Sequence, residues 1–371
     1  MRSRWAKRKE LGCLKKWCCL LLAGILFLFA LPLQTKADGV EGDVNGDGVV
    51  TAADAAALFR YASGLEDISG TSSAIADVTC NLSVTRADVR AVLLYAAGRL
   101  NSFADLQGEI EGTLLGEEYL DLFSYTGAIK TETGYRSGKV SVNISQMKFR
   151  DSVCYIADIY IRDISCLRTA FSNGKYEGKR QKVKRIAADN NAAVAITGDM
   201  YTMNADGAIV RNGVWYQDGR ACKKKDLGVL YADGTFRCID RNSMTLEELK
   251  ETGDIWQLWS FGPMLLDENG DTVTEFHCKS SILGKHPRTA FGYYGPGHYC
   301  FVLVDGRQRP YSVGLRMEEL SELMYELGCA AAYNLDGGQS ATMSDGQRII
   351  NSPSGGGRTT TDIVYVGEPL Q

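Results

Sequence analysis

Strict alternation of apolar and polar side chains sets in at Lys139-Val140-Ser141-Val142-Asn143-Ile144, which reads as a strand with one wet face. The run from Val153 to Ile161 continues it, and residues 193–196, 228–231, 299–304 and 362–366 give further strand-like runs. Residues 179–190 and 316–327 carry the wider spacing of helices. Strands and helices interleaved in this order predict an α+β domain of about 250 residues around a central mixed sheet. The chain before it has another rhythm. Residues 43–65 and 77–100 each read as a polar loop followed by an amphipathic helix, and the second copy lies 34 residues after the first. They predict a small all-α module. Residues 103–122, acidic and without a period, read as a linker.

The first 37 residues stand apart. Arg2, Arg4, Lys7, Arg8, Lys9, Lys15 and Lys16 precede a nearly pure apolar run at residues 18–33, and Thr35-Lys36-Ala37 supplies small residues for cleavage before Asp38. This is the pattern of a secretory signal peptide, and the apolar run is short for a span of about 20 residues. The expected organisation is a leader at 1–37, a calcium module at 38–102, a linker at 103–122 and the main domain at 123–371. No transmembrane anchor is expected after cleavage.

Charge narrows the function classes. The 371 residues hold 41 Lys and Arg against 45 Asp and Glu; without residues 1–37 they become 33 against 44, a net charge of −11. So acidic a chain is poorly suited to non-specific nucleic-acid binding. Eight cysteines remain after the leader (Cys80, Cys154, Cys166, Cys222, Cys238, Cys278, Cys300 and Cys329), none in a CxxC pair, so a zinc ribbon is not expected. No cluster has zinc-like spacing, and no catalytic metal is predicted.

The repeated loops carry hard oxygens. In the first, Asp43, Asn45 and Asp47 occupy positions one, three and five of an EF-hand-type loop. Gly48 stands at the sharp turn, Val49 offers its carbonyl at seven, and Asp54 closes the loop at twelve. In the second, Asp77, Thr79, Asn81 and Asp88 hold the ligand positions, but Leu82 replaces the glycine and neither Thr79 nor Asn81 carries a carboxylate. Calcium is expected in the first loop; the second binds it weakly or serves as a structural loop–helix. The duplication, the spacing and the closing aspartates together resemble a type I dockerin over residues 41–102. That resemblance implies a cohesin domain of a scaffold protein as partner, an extracellular setting, and Ala52, Ala53, Thr85 and Arg86 as candidate contacts. A calcium-stabilised module without a partner is the plainer alternative.

In the main domain, apolar runs end repeatedly in polar, glycine-rich clusters. They are Thr197-Gly198-Asp199, His286-Pro287-Arg288-Thr289-Ala290, Asp305-Gly306-Arg307, Asn334-Leu335-Asp336-Gly337-Gly338-Gln339-Ser340 and the segment from Asn351 to Arg358. Singly, each also reads as a turn. The first four, in this order and with Phe261-Gly262-Pro263, resemble the phosphodiester glycosidase family over residues 125–371. Thr197, where the family usually has Asn, and Gln339, where a third Gly is common, depart from its pattern.

The resemblance implies cleavage between an anomeric carbon and a phosphate oxygen in glycans carrying sugar-1-phosphodiesters, such as α-N-acetylglucosamine-1-phosphodiesters. A phosphate monoester leaves readily, so such a site needs charge stabilisation and a carboxylate near the sugar carbon more than a strong acid. Arg288, Arg307 and Arg358 are the candidate phosphate clamps, since guanidinium meets phosphate in a fork. Asp336 and Asp199 lead as carboxylates for nucleophile, base or electrostatic roles, with Asp305 third. Asn334 and Ser340 are expected on sugar or phosphate oxygens, and Gly337 and Gly338 to bring backbone N–H groups to the anion. His286 is read as structural, with a general-base role as its alternative. Two other functions stay open: a phosphoglycan-binding module without catalysis, and another carbohydrate-active hydrolase, including one that cuts P–O.

Overall fold

The computed structural model describes residues 39–68, 73–79, 84–103, 113–124, 127–203, 207–218, 225–241 and 243–369. The expected leader, Cys80, Asn81, Leu82 and Cys222 lie outside them. The chain divides into two compact units, residues 1–108 and 109–371. No helix among the described residues is long and apolar enough to cross a membrane.

The first unit is helical: α1 (Ala52–Ala62), one turn α2 (Ser73–Ala76) and α3 (Arg86–Ala96). A capping box starts α1, with the Thr51 hydroxyl accepting from the Ala53 N–H and the Asp54 carboxylate from the Thr51 N–H at 2.8 Å. Ala55 and Leu58 of α1 and Ala91 and Val92 of α3 are buried, so each helix hides one apolar stripe. Ala52, Ala53 and Arg86 remain exposed.

The second unit is an assembly of sheets. Strands β1 (Ile129–Lys130), β2 (Gly134–Arg136), β3 (Val140–Phe149), β4 (Ser152–Ile161), β14 (His298–Val304), β13 (Arg288–Gly295) and β15 (Ala331–Leu335) form a seven-stranded sheet in the order 1-2-3-4-14-13-15. A five-stranded sheet, ordered 11-10-12-8-9, contains β8 (Ile209–Arg211), β9 (Val214–Gln217), β10 (Leu227–Tyr231), β11 (Phe236–Ile239) and β12 (Ile255–Trp259). A four-stranded sheet, ordered 16-7-18-5, contains β5 (Leu167–Phe171), β7 (Val194–Thr197), β16 (Met343–Ser344) and β18 (Asp362–Val366). Strands β6 (Gln181–Lys182) and β17 (Thr359–Thr360) pair separately. Every pairing among the described strands is antiparallel, so the α+β character comes from helices laid on antiparallel sheets and not from mixed strand direction.

Burial follows the sequence pattern. Strand β4 is covered along most of its length, and β15 and β18 carry near-continuous buried runs, as strands packed on both faces do. Phe236, Trp259, Phe291, Tyr299, Phe301 and Tyr333 fill the space between sheets. Helix α4 (Val183–Asp189) exposes Lys184 and Arg185 while Val183 and Ile186 are buried, which makes the basic run near residue 180 a solvated face. Helix α5 (Leu246–Glu251) is short; α6 (Met317–Glu326) buries Met317, Leu320, Leu323 and Met324 against the seven-stranded sheet.

The linker expectation fails over residues 113–122. Leu115 and Leu120 are buried, Leu114 packs on the main core, and the Leu114 N–H donates to the Arg162 carbonyl at 2.9 Å. Three leucines anchor a segment whose acids had made it look like a spacer.

Candidate active site

The antiparallel register explains how distant clusters meet. Strand β13 runs against both neighbours, with Arg288 opposite Val304 and Thr289 opposite Leu335. The start of β13 therefore lies beside the ends of β14 and β15, and Arg307 and the 336–340 loop follow from those ends. A cavity of about 250 Å³ opens there, walled by Phe261, His286, Arg288, Arg307, Asn334, Asp336 and Arg358 among others. Ser281, Ile282, Leu335 and the three residues 337–339 complete it.

Three arginines line this space. Arg288 is buried and held by carbonyls alone: Nε donates to Leu315 at 2.9 Å, and Nη2 to Ile282 at 2.7 Å and Gly284 at 2.6 Å. Burial pushes its pKa down to about 10, so it stays charged at neutral pH. Arg307 sits in the left-handed region at φ 60°, unusual for a non-glycine residue. Its Nη2 donates to His286 Nδ1 at 3.1 Å, while His286 Nε2 donates to the Ser281 carbonyl at 2.9 Å. That pair of bonds defines a neutral imidazole with its proton on Nε2. Arg358 contacts both oxygens of Asp336 through Nη2, at 3.1 and 3.3 Å, and donates from Nε to Ser340 Oγ at 2.5 Å.

Asp336 is the carboxylate of the cavity wall. Burial raises its pKa, opposed by Ser340 and Arg358 and reinforced by the nearby charge of Asp199. The Asp336 N–H donates to the Gly198 carbonyl at 3.1 Å, tying the loop to the end of β7. Gly337 is constrained by its neighbour: a Cβ there would sit 2.6 Å from the Pro287 carbonyl oxygen.

The structure redistributes several expected roles. Asp199 is fully buried behind the cavity and does not line it; its Oδ1 meets Arg211 Nη2 at 2.6 Å and its Oδ2 accepts from the Ser260 N–H at 3.1 Å. The same Arg211 nitrogen meets Asp362 Oδ2 at 3.2 Å. Asp305 is likewise away from the wall, accepting from Asn351 at 2.7 Å, the Ser352 N–H at 2.9 Å and Tyr311 at 3.0 Å. It fastens the 351–352 turn to the end of β14. Ser340 is buried and holds Arg358, not an open oxygen site. Asn334 spends its amide N–H on the Gly262 carbonyl at 2.8 Å, and its N–H on the Pro263 carbonyl at 3.1 Å. Gly338 gives its N–H to the Pro287 carbonyl at 2.9 Å, so of the two glycine donors only Gly337 is left for a ligand. The departure at Thr197 is a latch: its hydroxyl donates to the Ser340 carbonyl and accepts from the Thr342 N–H. Gln339 is exposed, and its carbonyl accepts from the Arg358 N–H at 2.9 Å.

Sequence reasoning missed Phe261, Ser281, Ile282 and Gln339 as cavity walls, and His286 as the support of Arg307. Phe261 carried a signal, since Phe261-Gly262-Pro263 was one of the matching clusters. Ser281 and Ile282 carried none.

Oxygen donors in the first unit fit calcium chemistry. Asp43 receives N–H bonds from Gly46, Asp47 and Gly48, Asn45 from Asp47, and Asp47 from Val49, which curls the loop. Asp54 closes it on the Val44 and Asn45 N–H groups. Asp43, Asn45, Asp47 and Asp54 with the Val49 carbonyl would be the ligands. In the second loop Asp77, Thr79 and Asp88 are described, and the Thr79 hydroxyl lies 2.8 Å from Asp88 Oδ1. Elsewhere, Asp226, Asp240 and His277 bring three donor atoms within 4.8 Å of one another, off the cavity.

Fold and site define a chain of two kinds of module: an α+β domain with a cationic cavity, and a paired loop–helix unit with a calcium-type loop. Residues 190–367 match the phosphodiester glycosidase family model and residues 41–95 the type I dockerin model, so the chain carries one domain of each family. Over 195 residues, 51% of the chain, it is 27% identical to the SPβ prophage-derived uncharacterized protein YomE of Bacillus subtilis (strain 168), and it spans 30% of that protein's length. Among solved structures it is similar to the zebrafish N-acetylglucosamine-1-phosphodiester α-N-acetylglucosaminidase catalytic domain auto-inhibited by pro-peptide, at 18% identity and TM-score 0.49. That match covers 62% of this chain and 83% of the other. A hypothetical protein from Synechocystis matches at 13% identity and TM-score 0.49, covering 62% of each chain.

Proposed function

We propose that this chain is a scaffold-attached phosphodiester glycosidase, which breaks the C1–O bond between a sugar and a phosphate in phosphodiester-linked glycans and releases the free sugar. The observation that carries this reading is the composition of one cavity wall: Arg288, Arg307 and Arg358 with the single carboxylate Asp336.

Ordinary glycosidases place two carboxyl groups across the scissile bond, one as acid for the leaving oxygen. Here, among the described residues, no second carboxylate lines the cavity, and two guanidinium groups without carboxylate partners take the place of the acid. That exchange suits a phosphate leaving group. As the C1–O bond breaks, its electron pair moves to the phosphate oxygen, and Arg288 and Arg307 stabilise the added charge. Asp336 supplies negative charge opposite the oxocarbenium-like carbon, and a water adds to C1 and releases its proton to solvent. Arg358 and Ser340 hold the carboxylate in place. Behind the wall, the Gly198 carbonyl anchors the Asp336 backbone, while Asp199 is engaged by Arg211 and the Ser260 N–H.

In this reading residues 38–102 form the dockerin, calcium folds at least its first loop, and a cohesin domain is the partner that places the enzyme outside the cell on a scaffold. The test is hydrolysis of a sugar-1-phosphodiester in H₂¹⁸O. Label in the released sugar supports C–O cleavage. Label in the phosphate indicates P–O cleavage and a different hydrolase. Unimpaired turnover by Asp336→Ala, or no turnover across a broad substrate panel, rejects the proposal, and tight phosphoglycan binding without turnover favours a binding module.

A further inference from the structure

The charges lining the cavity do not balance for a diester. Arg358 is neutralised by Asp336, whose oxygens lie 3.1 and 3.3 Å from its Nη2. Arg288 is saturated on Nε and Nη2 by three carbonyl groups, which carry no net charge. Arg307 leans on the neutral Nδ1 of His286. Among the described residues neither Arg288 nor Arg307 has a carboxylate in ion-pair distance, and no other carboxylate lines the cavity. The two cations are close enough for the Arg307 charge to lower the pKa of Arg288, against a smaller opposite effect of Glu319. The wall therefore presents a surplus of about two positive charges, one of them on a buried side chain where water screens it least.

A phosphodiester brings one negative charge to this wall, whereas a phosphate monoester brings close to two above pH ~6. We infer that the cavity is matched to the dianionic monoester, so that the phosphate-bearing product is held more tightly than the diester from which it is cut. This rests on the reading of the cavity as the phosphate site of a phosphodiester glycosidase. It makes the same match useful in catalysis, because the second charge appears only as the C1–O bond breaks, and an interaction that strengthens toward the product lowers the barrier. It also makes the product an inhibitor. Sustained turnover then depends on a second reaction class, hydrolysis of the monoester by a phosphatase, to clear the site.

Charge can be varied at nearly constant shape. Phenyl phosphate is a dianion at pH ~8, while phenyl sulfate and methyl phenyl phosphate are monoanions with the same ring and a tetrahedral centre. Calorimetric titration of the full chain should show phenyl phosphate binding at least about tenfold more tightly than either monoanion, as expected for one more charge facing two guanidinium groups. Arg307→Gln, at an exposed position, should reduce that ratio to roughly threefold or less, and Arg288→Met should do the same where circular dichroism shows it folded. Equal affinity for phenyl phosphate and phenyl sulfate overturns the inference, as does the absence of phenyl phosphate binding. A protein that keeps the dianion preference but hydrolyses no sugar phosphodiester loses the proposed activity and keeps this charge match. A protein that hydrolyses the diester with no dianion preference does the reverse.

Discussion

Arg307 reaches His286 Nδ1 at 3.1 Å, and no carboxylate competes for it among the described residues. A positive-φ backbone at Arg307 costs on the order of 1 kcal/mol, so this arginine is held in place at some expense. The imidazole locates the guanidinium without cancelling its charge, which an aspartate at position 286 would do. His286→Ala should lower kcat/KM for a sugar phosphodiester by about tenfold, equivalent to about 1.4 kcal/mol, with most of the loss in kcat because Arg307 acts on charge that grows as the bond breaks. His286→Gln, which keeps an acceptor, should stay near wild type. Steady-state kinetics on the three proteins decides it, and an unchanged kcat/KM in the alanine variant means that Arg307 is positioned by something else.

The pH profile should report on Asp336. Burial raises its pKa above the ordinary aspartate value, and Ser340 and Arg358 pull it back. A reaction needing the ionised carboxylate loses activity as pH falls through that raised pKa. Arg358→Gln removes one of the two lowering influences, so the acid limb of kcat/KM should move to higher pH. A limb that stays in place or moves down would show that another group sets it.

Gly337 has room for a hydrogen and little else. With a Cβ placed 2.6 Å from a backbone oxygen of Pro287, Gly337→Ala must push the 336–340 loop away from the start of β13. Displacing Asp336 from Arg288 in this way should cost about 10- to 100-fold in kcat while the protein remains folded. Wild-type kcat in the alanine variant would show that the spacing between these two strands does not matter.

The walls of the cavity were legible where chemistry is written locally. A buried strand running into Asn334-Leu335-Asp336-Gly337-Gly338 announces a polar loop, Arg307 follows an apolar run, and Arg288 opens one. The same signature misplaced Asp199. A strand ending in Gly-Asp looks alike whether the carboxylate meets solvent or a buried cation, and its partner Arg211 lies twelve residues on in an apolar strand without any local mark. Asp305 was misplaced for the same reason, its partners Asn351 and Ser352 being 46 and 47 residues away. Long-range pairing of polar groups is set by sheet order, and sheet order is not a local property.

The buried Asp199–Arg211–Asp362 group carries two carboxylates on one guanidinium, and this should appear in stability. Burial and the Asp199 charge push the Asp362 pKa up to about 7. The folded state thus holds a proton that the unfolded chain releases near pH ~4. The stabilisation from that proton is full below the unfolded pKa and is lost as pH rises through the folded one. Urea unfolding of wild type should become easier between pH ~5 and pH ~8, and Asp362→Asn, which keeps an oxygen for Arg211, should flatten that decline by on the order of 2 kcal/mol. Parallel declines in the two proteins would mean that Asp362 does not carry the proton.

The two loops of the first unit should separate on calcium. The first offers carboxylates at Asp43, Asp47 and Asp54, and their backbone N–H bonds already curl the loop around its oxygens. The second has Thr79 where the first has Asn45, and its hydroxyl is turned onto Asp88. Fewer carboxylates mean weaker attraction for a hard dication. Titration of the full chain should therefore resolve one tight site, removed by Asp43→Ala and nearly untouched by Asp77→Ala. Because the liganded loop starts α1 through Thr51 and Asp54, chelation should lower the thermal transition of residues 39–103 and leave that of the larger unit in place. Two sites of equal affinity, or a first unit indifferent to chelation, would contradict the assignment of the tight site to Asp43, Asp47 and Asp54.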